Sequence, residues 1–340
     1  MKGKAPEITV ETAATVSEVR KWVPAWDDLL ARSRCHRAFS SAAWYLACLD
    51  ADPRLAPFVL IARRDGVPAG IFPLVLADGM AGFASRLADY NDVIVAPGDV
   101  IAARTLLETA RDGGNRRLAL NYVRPDANLV EVLEEKDPDF RFEDHVQDRA
   151  FCPYIPLPRD FETFLATRPH SQRKELRRVS RKAAEAGLQI REMEPSQLSP
   201  ASLPELFLEL HAARFGEVTL FTQPVFRAFV LRALPALFAS GKLRVIALCN
   251  GDELLGIELL MVGVDSLCDW NGGFKSTPVK CSPGHLLILG GIRRAIETGF
   301  GEYDLLRGVE AYKARWADRR RPYARIFLPA VSDEPQTSRP

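Results

Sequence analysis

Few features of this chain announce a function on their own. No apolar run in its 340 residues approaches the roughly 20 residues needed to span a bilayer, so a helical membrane span is not expected. The six cysteines (Cys35, Cys48, Cys152, Cys249, Cys268 and Cys281) include no Cys-x-x-Cys pair. Cys249 and Cys268 fall in apolar strand-like runs, where buried free thiols are expected. No spacing of His, Cys, Asp and Glu suggests a metal site, and no nucleophile elbow is present. Lys and Arg number 45 against 44 Asp and Glu, a formal net charge of +1. That balance argues against a dedicated DNA or RNA binder but leaves room for a local basic stripe. The opening MKGKAPEITVETAATV lacks the apolar core of a secretion signal and reads as a strand after a short tail. The expected location is cytoplasmic, with peripheral contact at the inner face of a membrane left open.

What is present is organised as a repeat. The length suggests about two domains, each large enough to bury its own core. Arg64-Asp65-Gly66 turns into a strand carrying Gly70-Ile71, and Asn250-Gly251 turns into one carrying Gly256-Ile257. Asp89-Tyr90-Asn91-Asp92 answers Asp269-Trp270-Asn271-Gly272, and Ala96-Pro97-Gly98 answers Ser282-Pro283-Gly284. A helix-length segment and a short apolar strand follow each Pro-Gly, at Leu118–Tyr122 and at Tyr303–Leu306. Such turn dipeptides are individually generic; four in one order at near-constant offset indicate a duplicated domain. Boundaries are expected at 1–148, 149–329 and a polar, disordered tail at 330–340. Hydrophobic periodicity gives a helix at 16–32 with Trp22, Trp26, Leu29 and Leu30 on one face, and helices over 160–187. A strand at 323–328 is expected to complete the second half.

The richest stretch runs from Asp269 to Trp316. A strand ends in an aromatic and two glycines, a lysine-bearing loop closes with Ser282-Pro283-Gly284, and an amphipathic helix follows. A tight loop feeding a helix N-terminus makes an anion site, because unpaired amide N–H groups and the helix dipole point the same way. Lys275, Lys280, Ser282, Pro283, Gly284 and His285 are the candidate phosphate-binding residues. The first copy places Asp92 and Asp99 at the corresponding loop, which would repel a pyrophosphate.

Leu210-His211-Ala212-Ala213-Arg214-Phe215, Ser282-Pro283-Gly284, Tyr303-Asp304-Leu305-Leu306-Arg307-Gly308 and Glu310-Ala311-Tyr312-Lys313-Ala314-Arg315-Trp316 resemble the CelD-type branch of the GNAT acyltransferases. That branch is associated with cellulose and exopolysaccharide gene clusters. Phe39-Ser40-Ser41-Ala42-Ala43-Trp44 and Asp89-Tyr90 extend the resemblance over nearly the whole chain. It implies an α/β (α+β) architecture of two tandem GNAT-like domains, as in Fem-type transferases. Each would be a mixed, mostly antiparallel sheet flanked by helices, with acyl-CoA bound by the second as co-substrate and no permanent cofactor. The usual Q/R-x-x-G-x-G/A pyrophosphate loop is missing, and Lys280-Cys281-Ser282-Pro283-Gly284-His285 stands in its place. An acyl carrier protein therefore remains an alternative donor.

Thioester acyl transfer needs an amine or hydroxyl positioned, its proton removed and the oxyanion stabilised. Asp304, inside an apolar strand, is the candidate base. Glu310 is a second, or a carboxylate placed for the helix dipole. Tyr312 falls where GNAT enzymes keep a thiolate-protonating tyrosine, or else packs on Trp316 four residues on. His211 is catalytic or a structural histidine. Arg214, Trp270, Asn271, Arg307, Lys313, Trp316, Asp89 and Tyr90 are candidate substrate contacts. The run His170–Lys182 is densely basic, either a docking face or a solvated helix side with Leu176, Val179 and Ala183 inward. The expected acceptor is an amine or hydroxyl of a cell-envelope saccharide or amino-lipid. N-acylation of a long-chain base (ceramide synthase-like), a Fem-like aminoacyl-tRNA-dependent transferase and a non-catalytic scaffold are the alternatives.

Overall fold

Two β-hairpins with the same defect sit at the centre of the two halves. Asp65 and Gly66, both at positive φ (49° and 82°), form the two-residue turn that suits the twist of paired strands. In the second hairpin the turn begins at Gly251, φ 60°. Each hairpin then skips one residue in register, Ala69 in the first and Leu255 in the second. Each bulge precedes a glycine on which the following helix rests. A Cβ on Gly70 would lie 2.8 Å from Leu106, and one on Gly256 would lie 3.3 Å from Leu287. The repeat expected from the sequence is thus a repeat of packing constraints.

The computed structural model describes residues 8–84, 87–112, 115–277 and 281–330. Lys280 and the tail 331–340 lie outside them. The chain divides into a first unit of residues 1–150 with 322–340 and a second of 151–321. The first contains β1 (Ile8–Ala13), α1 (Val16–Arg32), α2 (Ala42–Ala51), β2 (Ala56–Arg64), β3 (Val67–Ala77), β4 (Met80–Phe83), β5 (Ile94–Val95), α3 (Val100–Arg111), β6 (Leu118–Val123) and α4 (Asn128–Lys136). Helix α1 starts at a capping box between Thr15 and Glu18, which satisfies two otherwise orphan N–H groups. It buries Val19, Trp26, Leu29 and Leu30, with Trp22 half-buried beside them.

The second unit contains β7 (Phe151–Pro156), α5 (Phe161–Thr167), α6 (His170–Glu185), β8 (Leu188–Met193), α7 (Leu203–Phe215), α8 (Pro224–Ala239), β9 (Leu243–Asn250), β10 (Glu253–Val262), β11 (Ser266–Phe274), α9 (Pro283–Glu297), β12 (Glu302–Asp304), α10 (Ala311–Trp316) and β13 (Arg319–Pro322). The break between α5 and α6 falls at Arg168-Pro169, because the residue before a proline is pushed out of helical geometry. Buried Arg168 then ties the junction to the Trp316 carbonyl (3.0 Å) and to Asp318.

The strand orders correspond. In the first sheet β1-β2-β3-β4 continues into β6, with β4 parallel to β6. In the second, β8-β9-β10-β11 continues into β12 and then β7 and β13, with β12 parallel to β11 and antiparallel to β7. One expectation is corrected here. The last strand, β14 (Ala324–Leu328), completes the first sheet by pairing antiparallel with β6, because its alternating Ala324 and Ile326 are buried in the first unit's core.

Candidate active site

Strand β12 is only three residues long and pairs with β11 through Cys268↔Asp304. Beyond that point β11 runs on to Phe274 along β10 alone, while the chain after Asp304 turns away, Leu305 donating to the Pro153 carbonyl (2.9 Å). A bulge at Trp270 bends β11 where the strands part. The second sheet therefore opens at its centre, between β11 and β12.

A buried pair of carboxyls sits at this opening. Glu258 on β10 and Asp269 on β11 are 4% and 6% exposed. Burial and the adjacent Asp269 push Glu258 well above the ordinary carboxyl range. Burial also raises Asp269, opposed by a hydrogen bond from Glu258 and by the charges of Lys313 and Arg214. The pair is best described as a protonated Glu258 donating to an ionised Asp269, since two adjacent buried carboxylates cannot both keep their charge. Buried Tyr303 turns its hydroxyl towards Asp269. Neither that hydroxyl nor Asp269 Oδ2 completes a hydrogen bond of good geometry. His285 Nδ1 at the start of α9 and Trp316 Nε1 are likewise buried without a partner, their rings 5.9 Å apart. Buried polar atoms normally have partners, so the Asp269 and Tyr303 orphans on β11 and β12 mark the opening as the place where another molecule or water completes the contacts.

The two glycines that end the strand motif have separate duties. Gly272 faces Glu258 across the strands, and a Cβ there would lie 2.6 Å from Glu258 Oε1. A Cβ on Gly273 would collide with the backbone of Leu210 and His211, so α7 lies directly on β11. That contact sets His211 among Phe207, Phe215, Phe221 and, through these rings, Trp270. Burial and nearby Arg214 lower its pKa to about 4. The Arg214 guanidinium lies over the rings of Phe215 (4.5 Å) and Phe274 (4.8 Å).

The two central helices begin differently. Asp99 caps α3, accepting from the Ala102 N–H (3.2 Å), and pairs with Arg64 at 2.6 Å. Ser282, at φ 52°, makes no side-chain cap on α9, and Pro283 follows. The N-terminus of α9 thus carries no side-chain cap, whereas that of α3 is satisfied by Asp99. The other first-copy residue differs from expectation. Asp92 accepts from the Asn128 and Leu129 N–H groups (2.8 and 3.0 Å) and caps α4. Of the remaining donor-site candidates, Lys275 is paired with Glu209 at 2.7 Å.

Asp304 is fully buried but its carboxylate is engaged. Oδ1 accepts from the Leu306 N–H (2.7 Å) and Oδ2 faces Arg321 (3.3 Å), which also grips Glu302. Next to Tyr303 in the strand, it points to the other face. Lys313 holds the following turn, donating to the Arg307 carbonyl (2.6 Å) and pairing with Glu310 (3.1 Å). Tyr312 is raised by burial and by the nearby Asp269, Glu258 and Glu310, which keeps its hydroxyl protonated and places it at the opening. Asn271 accepts from the Gly272 N–H (2.9 Å). Asp89 and Tyr90 belong to the first unit, where Arg124 covers the Tyr90 ring at 5.0 Å. On α6, Leu176, Val179 and Ala183 are inward. Among the described residues no group of three or more His, Cys, Asp or Glu is arranged to hold a metal, and no helix is long and apolar enough to cross a membrane.

Sequence reasoning overlooked Glu258 altogether and gave Asp269 no role. The available signal was a lone acid inside the apolar strand Leu254–Val262.

No curated protein matches the chain. Among solved structures it resembles FemX, with 12% identity over 94% of this chain and 97% of that one and a TM-score of 0.60. It also resembles the C-terminal domain of a putative lysylphosphatidylglycerol synthetase from Agrobacterium fabrum (14%, 92% and 94%, 0.57) and L-PGS from Bacillus licheniformis (11%, 91% and 92%, 0.58). At such identities the likeness is one of fold, and it spans both units. Residues 170–314 match the model of the acetyltransferase (GNAT) domain: the second unit carries a GNAT-family domain.

Proposed function

We propose that the second unit transfers an acyl group from acyl-CoA to an amine or hydroxyl of a cell-envelope saccharide or amino-lipid, in keeping with the CelD-type resemblance. The observation that carries this reading is the buried Glu258–Asp269 pair, with its free Asp269 Oδ2, at the point where β11 leaves β12. The donor's pyrophosphate would lie at the uncapped start of α9, around Pro283, Gly284 and His285, with its thioester directed along the unpaired edge of β11. The acceptor's nitrogen or oxygen attacks the thioester carbonyl and its proton passes to Asp269 Oδ2. The C–S bond then breaks and Tyr312 protonates the departing thiolate. A neutral Glu258 keeps Asp269 ionised and oriented. In this scheme Asp304 is a positioning residue that fixes the turn into α10 through Leu306 and Arg321, and Glu310 serves Lys313.

A second reading has one observation in its favour. Lys174, Arg177, Arg178 and Lys182 lie exposed on α6 with no acidic partner among the described residues, a face suited to a charged-tRNA donor in the manner of a Fem-type transferase. Thiol release from a panel of acyl-CoAs in the presence of amine and hydroxyl acceptors tests the first reading. No thiol release, together with RNA binding that weakens steeply with salt, would replace it with the second.

A further inference from the structure

Behind α7 lies a second cavity, of about 420 Å³, lined by Glu209, His211, Glu217, Thr219, Phe221 and Thr222 among others. Seven of its ten lining residues are polar or charged, and His211 is 7% exposed with no described residue hydrogen-bonded to its ring. Burial keeps that ring neutral, so its nitrogens offer one donor and one acceptor to whatever enters. The segment that closes this cavity is apolar on its outer side. Within six residues Phe215, Val218 and Leu220 are 53%, 94% and 42% exposed. Gly216, at φ 85°, ends α7 and turns this stretch outward. Single exposed apolar residues are ordinary, whereas a cluster at a cavity mouth marks an interaction surface.

We infer that the Phe215–Leu220 segment dips into a lipid surface and that the cavity behind it receives the polar head of an amphiphile drawn from that surface. The division of chemistry argues for this occupant. A cavity lined mainly by polar residue types, with an unpartnered imidazole among them, suits a hydroxyl- or amine-bearing head group, and an apolar rim suits the chain attached to it. A freely soluble saccharide would leave the rim residues in water. This inference rests on the acyl-transfer reading only in naming the amphiphile as the acceptor; contact with the lipid surface is independent of it.

The test uses the full chain and vesicles of phosphatidylcholine. Sedimentation with vesicles is expected for the wild type. It should weaken by about tenfold for each residue in Val218→Asp and Leu220→Asp, the scale set by burying one such side chain. Val264→Asp, which alters an exposed apolar residue elsewhere in the second unit, should leave it unchanged. In Val218→Trp, the added tryptophan emission should be quenched by phosphatidylcholine brominated in its acyl chains. Asp269→Asn should retain vesicle binding, so failure of the chemistry and failure of the lipid contact are read separately. Absence of vesicle binding by the wild type, equal binding by the Asp variants, or lack of quenching at position 218 would overturn the inference. So would a concentration-dependent dimer that Val218→Asp dissociates, since the segment would then be an interface between copies.

Discussion

Replacing Asp269 by Asn removes the one carboxylate oxygen that the opening leaves free, while keeping the side chain's shape. Loss of a general base lowers turnover by about 10²–10⁴-fold, or roughly 3–5 kcal/mol in the barrier. Glu258→Gln is the informative partner. The Gln amide can still donate to Asp269, so only the difference between two hydrogen bonds is lost, worth about 1 kcal/mol. Its turnover should stay within roughly tenfold of wild type. The measurement is thiol release at saturating acyl-CoA with the best acceptor found, beside a calorimetric affinity for the donor that neither change should alter. Stability supplies a second readout. A carboxyl raised on folding contributes stability that is full below its unfolded value, near 4.5 for Glu258, and is lost as pH rises through the folded value. Wild-type melting temperature should therefore fall as pH rises above about 4.5, and both variants should flatten that dependence. Equal losses of turnover in Asp269→Asn and Glu258→Gln, or a fully active Asp269→Asn, would refute the assignment of roles within the pair.

Three further outcomes follow from the same geometry. Asp304→Asn should lower stability by about 1–3 kcal/mol, because Arg321 keeps Glu302 but loses a buried partner; specific activity of the folded fraction should remain near normal, and a loss of turnover without a change in melting would restore Asp304 as the base. Gly272→Ala should displace the Glu258 carboxyl and reduce turnover more than donor affinity, measured by thiol release and calorimetry on one preparation. Activity against pH should rise as Asp269 ionises and show no limb from His211, whose ring is already neutral well above its value of about 4; a limb near pH 6–7 removed by His211→Ala would make the histidine the proton acceptor.

Much of the fold was legible because each hairpin and helix carries its own local signal. Asp65-Gly66 and Asn250-Gly251 mark turns, and the stripe of Trp26, Leu29 and Leu30 on α1 marks a buried face. Helix α2 was missed for the opposite reason. Seven of its ten residues are buried, so it lacks the alternation of faces by which a helix is recognised. The placement of β14 depends on pairing with β6, about 200 residues away in sequence, which no local pattern encodes. Partners on neighbouring strands hid the chemistry of the site. Asp304 reads as a desolvated base until Arg321 is seen beside it. Glu258 reads as an oddity in a core strand until the bulge at Trp270 turns Asp269 towards it. The start of α9 was visible as Ser282-Pro283-Gly284, because an uncapped helix N-terminus is a local property.

The most direct test of the account is titration of acyl-CoA into the full-length protein and into Gly284→Asp. The glycine is not at positive φ, and a Cβ there would meet only the Phe274 ring, at 3.3 Å. An aspartate in the first turn also favours the helix dipole by about 0.3–1 kcal/mol, so the variant should fold at least as well as wild type. Its carboxylate would occupy the anion position at the start of α9. Saturable binding of one acyl-CoA by the wild type, abolished in a normally folded Gly284→Asp, is the predicted result. Undiminished binding in that variant would place the donor elsewhere and contradict the account.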